Sequence, residues 1–202
     1  MPNWCNNSIA FYQEDGGNDR LPAFFADVQK YTDHKDPETG ESSNWVGHLL
    51  KANGIDTNSL YARGFFSCSE FCDNHVRVDM ETAWAPLPEV YDLIAEKYNL
   101  RYVYIAEEPG CEVYVNTDTE GRFFSTRYLL NSFEIDDLEL DRDILTEYGE
   151  RLRELEDETL YFDSAKEVLE TFGEFKFCVP DAEILNQRLG EFNLHVYEYD
   201  AA

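Results

Sequence analysis

An alternating strand near the middle of the chain constrains the fold more than any other feature. Between Val76 and Thr82 an apolar or β-branched residue occupies every second position, and charged residues lie between them. This period of two predicts a strand with one buried face and one solvent-facing face. Residues 83–88, Ala-Trp-Ala-Pro-Leu-Pro, end the strand because proline cannot donate to a sheet. A helical spacing then runs to Asn99, and residues 101–106 predict another strand.

The residues before this segment predict a matching half. Trp4–Tyr12 is expected to form a strand, Leu21–Tyr31 a helix with apolar residues three or four apart, Trp45–Ala52 a short helix, and Phe65–Ser67 a strand. The order is strand, helix, strand, strand, helix, strand. It favours an α+β fold with a ferredoxin-like, or split βαβ, antiparallel sheet and two helices on one face.

Two further regions extend this core. Cys111–Asn116 and Phe123–Leu130 are predicted to pair as an added hairpin around the turn at residues 117–121. Residues 1–132 are therefore assigned to the ferredoxin-like domain, and residues 133–202 to an acidic, helix-rich α/β part packed on it. In that part the patterns predict helices at 141–156, 164–172 and 181–189 and strands at 175–179 and 194–199.

The charge of the chain excludes several classes of function. The 202 residues include 42 acids and 16 Lys or Arg, a formal net charge of −26. Direct capture of nucleic acid or of an anionic membrane needs the opposite sign. No apolar run approaches the ~18 residues of a membrane span, and the N-terminus lacks the features of a signal peptide. Five cysteines, an odd number, fit a reducing compartment, so a soluble cytoplasmic protein is expected.

The excess of acids is greatest in the last third of the chain. Residues 133–202 hold 21 acids and six bases. Within the predicted helix 141–156 and just beyond it, acids recur every three to four residues, which places them on one side at intervals of roughly 5 Å. The stripe consists of Asp143, Glu147, Glu150, Glu154 and Asp157. Asp141, Glu156, Glu158, Glu167 and Glu170 adjoin it in sequence. Such a face either binds a basic partner or is a solvated surface.

Candidate metal sites are weak in this sequence. Cys68 and Cys72 have three residues between them, whereas zinc sites commonly have two, and His75 follows. We favour a strand-end loop with two half-buried thiols. Residues 116–121 imitate the start of a calcium loop, but Arg127 stands where the bidentate acid belongs, so the hairpin turn is favoured.

Catalytic signatures are equally weak. The chain has no nucleophile elbow, phosphate loop or dinucleotide fingerprint. Adjacent acids such as Glu107 and Glu108 are expected from composition alone. We therefore predict a protein that is not an enzyme and that uses neither metal nor cofactor.

Three sequence blocks carry a family resemblance. They are Met-Pro-Asn-Trp-Cys-Asn-Asn at 1–7, Glu-Thr-Ala-Trp-Ala-Pro at 81–86 and Glu-Glu-Pro-Gly-Cys at 107–111. The chain resembles, over roughly residues 1–130, the YubB-like ferredoxin-like domain family of phage, plasmid and bacterial proteins. The resemblance implies a ferredoxin-like fold and a mobile-element origin in a bacterial cytoplasm, and it supplies no catalytic residues.

The blocks themselves are interpreted as architecture. Trp4 and Trp84 are predicted to be buried anchors whose indole N–H groups find carbonyls, and Gly110 is predicted to permit a tight bend. The favoured function is inhibition of a basic, nucleic-acid-binding defence protein by nucleic-acid mimicry. The alternatives are a ferredoxin-like module that holds a peptide, nucleotide or second copy of itself, with charge serving solubility, and an unrecognised enzyme.

Overall fold

The computed structural model describes residues 2–32, 35, 43–132, 159–173 and 194–201. The chain divides into two compact units, Met1–Phe124 with Ala201–Ala202 and Ser125–Asp200. Each described part is a mixture of helices and antiparallel strands, so the predicted α+β class is confirmed. The predicted domain boundary between residues 132 and 133 stays a prediction, because residues 133–158 lie outside the described ones.

The first unit is built around one sheet. Its described elements are, in chain order, β1 (Trp4–Tyr12), α1 (Leu21–Thr32), α2 (Val46–Ala52), β2 (Gly64–Phe71), β3 (His75–Ala83), α3 (Pro88–Tyr98), β4 (Arg101–Glu108), a 3-10 turn (Pro109–Cys111) and β5 (Val113–Asn116). Among the described residues five strands pair in the order β2-β3-β1-β4-β5, and every pairing is antiparallel. β1 therefore lies beside the alternating strand β3, as predicted.

The core lies on one face of this sheet. Alternate residues of β1 and β3 are buried there, and the apolar faces of the three helices pack against them. Phe11 on β1 meets Phe24 on α1 edge to face, with 4.8 Å between ring centroids. Each such side chain contributes roughly 1.5–3 kcal/mol by burial. The core residues on β1 and β3 are Cys5, Ile9, Phe11, Val76, Val78 and Met80.

One polar cluster is embedded in this core. The buried Asn7 amide donates to the Cys5 carbonyl and to Thr82 Oγ1, both at 2.8 Å. Asn7 Oδ1 accepts a hydrogen bond from the hydroxyl of Tyr91 on α3 at 3.0 Å. These bonds satisfy polar groups that would otherwise be costly to bury. They also fix the position of α3 relative to β1 and β3.

The predicted hairpin of Cys111–Asn116 with Phe123–Leu130 is wrong. β5 pairs with β4 instead, and residues after it form a loop. Asp118 Oδ2 accepts hydrogen bonds from the backbone N–H groups of Phe123 (2.5 Å) and Phe124 (2.8 Å). A side chain thus binds two consecutive backbone donors, one of which the predicted hairpin would have used, and local bonds of this kind compete with strand pairing.

The second unit contains a smaller sheet. Its described elements are β6 (Tyr128–Ser132), β7 (Thr159–Phe162), α4 (Ala165–Gly173) and β8 (Leu194–Glu198). The described strands pair antiparallel in the order β7-β6-β8. The predicted helix at 164–172 and strand at 194–199 are confirmed, whereas β7 had no clear sequence signal. The predicted elements at 141–156, 175–179 and 181–189 lie outside the described residues. No helix in the described ranges is long and apolar enough to cross a membrane.

Candidate functional site

The predicted partner-binding stripe lies outside the described residues. Its members are Asp143, Glu147, Glu150, Glu154 and Asp157. Two of the adjoining acids are described, and both are exposed on α4. They are Glu167, whose Oε2 accepts from the Asp163 N–H at 2.8 Å, and Glu170, which lies 3.3 Å from Lys166 Nζ.

The three sequence blocks meet at one end of the first unit's sheet. Trp4 stands opposite Ala83 in the pairing of β1 with β3, and the Trp84 N–H donates to the Asn3 carbonyl at 2.9 Å. The Asn3 side chain reaches the third block, with Nδ2 4.0 Å from Cys111 Sγ. We call this region the N-terminal corner. It comprises Asn3, Trp4, Trp84, Glu108, Gly110 and Cys111.

The prediction that Trp4 and Trp84 are buried anchors is wrong. Trp4 is 39% exposed and Trp84 is 46% exposed. Trp84 has φ +72°, a left-handed backbone conformation that bulky residues rarely adopt. The Trp84 N–H bond to Asn3 and the bond from Thr82 Oγ1 to the Ala85 carbonyl (2.8 Å) hold the backbone on both sides. The turn therefore presents the indole to solvent instead of continuing the alternation of β3.

Trp4 has neighbours of two kinds. The ring of Phe65 on β2 meets it edge to face, with 5.7 Å between centroids. The guanidinium of Arg63 lies over the Trp4 ring, 5.8 Å from its centroid. Arg63 is positioned by its own carbonyl, which accepts the Ala83 N–H at 3.1 Å. The exposed indole is thus already in contact with a cation of the same chain.

The third sequence block contains a buried carboxylate. Glu108 is only 3% exposed. Its Oε1 accepts the Gly110 N–H at 3.0 Å, while Oε2 has no hydrogen-bond partner among the described residues. The carboxylate also stabilises the protonated thiol of Cys111 by hydrogen bonding, and thereby raises the pKa of that exposed thiol. A buried carboxylate oxygen without a partner is costly to the fold.

Gly110 leaves room for two neighbouring side chains. A Cβ at this position would lie 2.5 Å from Asn3 Nδ2 and 3.0 Å from Glu108 Oε1. Gly110 lies, as predicted, in a tight bend, the 3-10 turn Pro109–Cys111 between the antiparallel strands β4 and β5, and the Asn3 amide also approaches its backbone closely. The absence of a Cβ therefore permits the close approach of the first and third sequence blocks.

The N-terminal corner is surrounded by acids. Glu81 is exposed and pairs in register with Asn6, and Glu107 stands opposite Asn6 on the other side. Glu112 is exposed directly after Cys111. With Glu108, four carboxylates lie in or directly after the second and third sequence blocks, and the cation of Arg63 lies over Trp4. The local field therefore favours a positive group.

The other candidate site residues do not converge. Cys68 is exposed on β2, which differs from the half-buried loop thiol that was predicted, whereas Cys72 is half-buried at the turn before His75. Burial lowers the pKa of His75, whose ring lies 4.7 Å from that of Phe123. The described residues contain no group of three His, Cys, Asp or Glu side chains that could hold a metal ion.

A polar cleft of about 940 Å³ lies where the start of β4 meets the end of α3. Its charged groups are largely paired with the chain itself. Arg101 Nη2 lies 3.0 Å from Glu14 Oε2, and Arg20 Nη1 donates to the Asn99 carbonyl at 3.1 Å. The cleft is therefore a weaker candidate than the N-terminal corner.

Comparison with known proteins adds no assignment: no protein-family model, no curated protein and no solved structure matches the chain.

Proposed function

We propose that the protein is a non-enzymatic binding protein that inhibits a basic, nucleic-acid-binding defence protein by presenting carboxylates in place of phosphates. The observation that carries the proposal is the charge of −26, concentrated in residues 133–202. Carboxylates about 5 Å apart along a helix are sparser than duplex phosphates, which lie ~3.4 Å apart along each strand. The neighbouring acids raise the density.

The described acids are consistent with this reading. Glu167 and Glu170 are both exposed on α4, close in sequence to the stripe. Charge of one sign steers a basic partner and speeds its association at low salt. The proposal therefore carries a specific expectation, which is that partner affinity falls steeply as salt is added.

We further propose that the first unit is a ferredoxin-like module. The order β2-β3-β1-β4 and the placement of α1 between β1 and β2 and of α3 between β3 and β4 support this. The family resemblance of the three blocks supports it as well, and with it a mobile-element origin. On this proposal the module is a scaffold that carries the acidic part.

The test combines partner capture with charge reversal. Proteins recovered from a bacterial lysate on the immobilised full chain are purified, and release of their bound DNA or RNA by this protein is measured across a salt series. The variant with Glu147, Glu150 and Glu154 changed to Lys is expected to lose at least roughly tenfold in affinity, since several charge pairs are reversed.

The matched control changes three exposed acids of the first unit, Glu70, Asp73 and Glu96, to Lys. It alters the net charge equally, so a loss confined to the first variant assigns binding to the stripe. If the stripe variant binds as tightly as the wild type and affinity is flat with salt, mimicry is wrong and the charge serves solubility.

A further inference from the structure

We propose that residues 117–124 form a flap that closes over one end of the open face of the first unit's sheet and is released when His75 takes up a proton. The open face is the side of the sheet that faces away from the helices. This inference goes beyond the proposed function, because it gives the first unit a switch of its own and uses no residue of the acidic stripe.

The flap is a loop with a closed base. Asn116, the last residue of β5, donates from Nδ2 to the Phe124 carbonyl at 3.1 Å. Between these residues the Asp118 carboxylate accepts the N–H groups of Phe123 and Phe124, and the Gly121 N–H donates to the Asp118 carbonyl at 2.9 Å. These bonds lie within the loop, so the loop can keep its shape while its tip moves away from the sheet.

The tip of the flap lies on the open face. Tyr12 and His75 stand opposite each other in the pairing of β1 with β3. Both point to this face, because their neighbours Phe11 and Val76 belong to the core on the other one. The Phe123 ring lies 5.0 Å from the Tyr12 ring and 4.7 Å from the His75 ring, measured between centroids. The flap therefore starts at β5 and reaches past β4 and β1 to β3, a span of roughly 14 Å.

Arg122 completes the contact between the tip and the sheet. Its guanidinium lies 4.8 Å from the centroid of the Tyr12 ring and 4.8 Å from that of Phe123. We call Tyr12, His75, Arg122 and Phe123 together the latch. Ring contacts and cation–π contacts are individually weak. One additional charge inside the latch is therefore enough to shift the balance between the closed and the open flap.

Protonation of His75 would add that charge. The rings that could stabilise a protonated His75 already bind the Arg122 guanidinium. Arg77, which also pairs with Asp79, follows on the same face of β3. Glu70 favours protonation, but it stands opposite Arg77 in the pairing of β2 with β3. Burial and the two arginines together lower the pKa of His75, so the closed flap disfavours the protonated ring.

The other neighbours of His75 do not reverse this preference. Asn74 Oδ1, 3.0 Å from His75 Nδ1, can accept a hydrogen bond from the neutral or the protonated ring. Burial raises the pKa of the Cys72 thiol, which is therefore uncharged at neutral pH. Other described charged groups on the neighbouring elements are exposed or paired. They include Asp73 before β3, Glu120 in the flap, and Arg101 beside Tyr12, which lies 3.0 Å from Glu14.

The sign of the pH dependence follows. An open flap leaves His75 near its ordinary pKa of 6.5, whereas the closed flap lowers that pKa. The contribution of His75 to closure is therefore fully present above pH 6.5 and is lost as the pH falls below it. One proton taken up on opening raises the ratio of open to closed flap by up to roughly tenfold between pH 7.5 and pH 5.5.

The test follows one fluorine signal in the full chain. The 14 phenylalanines are replaced by 4-fluorophenylalanine, and the Phe123 signal is assigned with Phe123→Leu. Fluorine spectra and the ring-proton signals of His75 are recorded from about pH 7.5 to pH 5. The Phe123 signal is expected to move toward that of a solvent-exposed ring, with the same midpoint as the His75 titration and below pH 6.5. Phe66, buried in the core, is the internal control and should stay fixed.

Variants separate the latch from titration elsewhere in the chain. His75→Phe keeps a ring against Phe123 without a titratable group, and it is expected to hold the Phe123 signal constant over the whole range. Arg122→Gln is expected to raise the pKa of His75 toward 6.5, because one of the two arginines that lower it is removed. His48→Gln is the matched control. It removes another histidine of the first unit, whose Nε2 lies 2.8 Å from Ser43 Oγ, and the movement of the Phe123 signal is expected to remain.

Three results would overturn the inference. The Phe123 signal stays fixed while His75 titrates, it moves as much in His75→Phe as in the wild type, or the Phe66 signal moves with the same midpoint, which indicates unfolding of the whole unit. None of these results bears on the acidic stripe, so the proposed function stands or fails by its own charge-reversal test.

Discussion

Removal of the Tyr91 hydroxyl tests the polar cluster that joins α3 to the sheet. In Tyr91→Phe the aromatic ring remains, so its edge-to-face contact with Tyr104, 5.5 Å between centroids, is retained. What is lost is the hydrogen bond of 3.0 Å to Asn7 Oδ1. Asn7 is buried, so its carbonyl oxygen is left without that donor.

The expected loss of folding stability in Tyr91→Phe follows from this geometry. A buried polar atom deprived of its partner costs about 1–3 kcal/mol. A loss near 2 kcal/mol corresponds to a fall in Tm of roughly 4–8 °C for a chain of this size. Urea unfolding followed by near-UV circular dichroism and a parallel thermal scan would measure both quantities.

The matched control is Tyr61→Phe, because Tyr61 is 55% exposed. Its effect is expected to stay within about 0.5 kcal/mol, as for most surface changes. A loss for Tyr91→Phe no larger than that of the control would refute the view that this hydroxyl stabilises the cluster.

Three further outcomes are expected. Trp84→Ala should cost under about 1 kcal/mol, and Trp84→Gly should be the more stable of the two in urea, because glycine adopts positive φ freely; a loss of several kcal/mol would show that the indole is buried. Asp118→Ala should cost about 2–4 kcal/mol by the same assay, since its carboxylate binds two backbone N–H groups; no loss would contradict the loop geometry. Burial raises the pKa of Cys5 from 9.0 to about 11, so the folded state holds this proton more tightly than the unfolded state. The associated stability is complete below pH 9 and is lost as the pH rises to about 11; Cys5→Ala should lack that decline, and at pH 8 Cys5 should resist a thiol reagent that labels the exposed Cys68.

The elements of the first unit could be predicted because their signals are local. The alternation of Val76–Thr82 and the helical spacing before Asn99 reflect which faces of a strand and a helix are buried. Both recur in the structure as β3 and α3. The prediction for residues 123–130 failed because Asp118 binds two consecutive backbone donors, one of which a hairpin would have used, and such side-chain bonds leave no period in the sequence.

The candidate site was predictable only in part. The sequence marked three blocks as distinctive, and the structure brings them together at the N-terminal corner. The basic partner that the acid content suggests stays a prediction. It did not indicate that Arg63 would lie over Trp4 or that Glu108 would be buried with one oxygen unpartnered among the described residues. Adjacent acids such as Glu107 and Glu108 are expected from composition alone. Nothing in the sequence therefore indicated that Glu108 is buried.

By itself, then, the sequence determined the order of the elements from β1 to β5, the α+β class and the charge, because each depends on residue types and near neighbours. Only the tertiary structure decided what is exposed. Trp84 looked like a core residue from its type, but its backbone is fixed by Asn3, a residue far away in sequence. The exposure of a residue depends on which distant segments of the chain pack against it. The three blocks lie at one corner because strands pair across the sheet, and local periodicity does not encode that pairing.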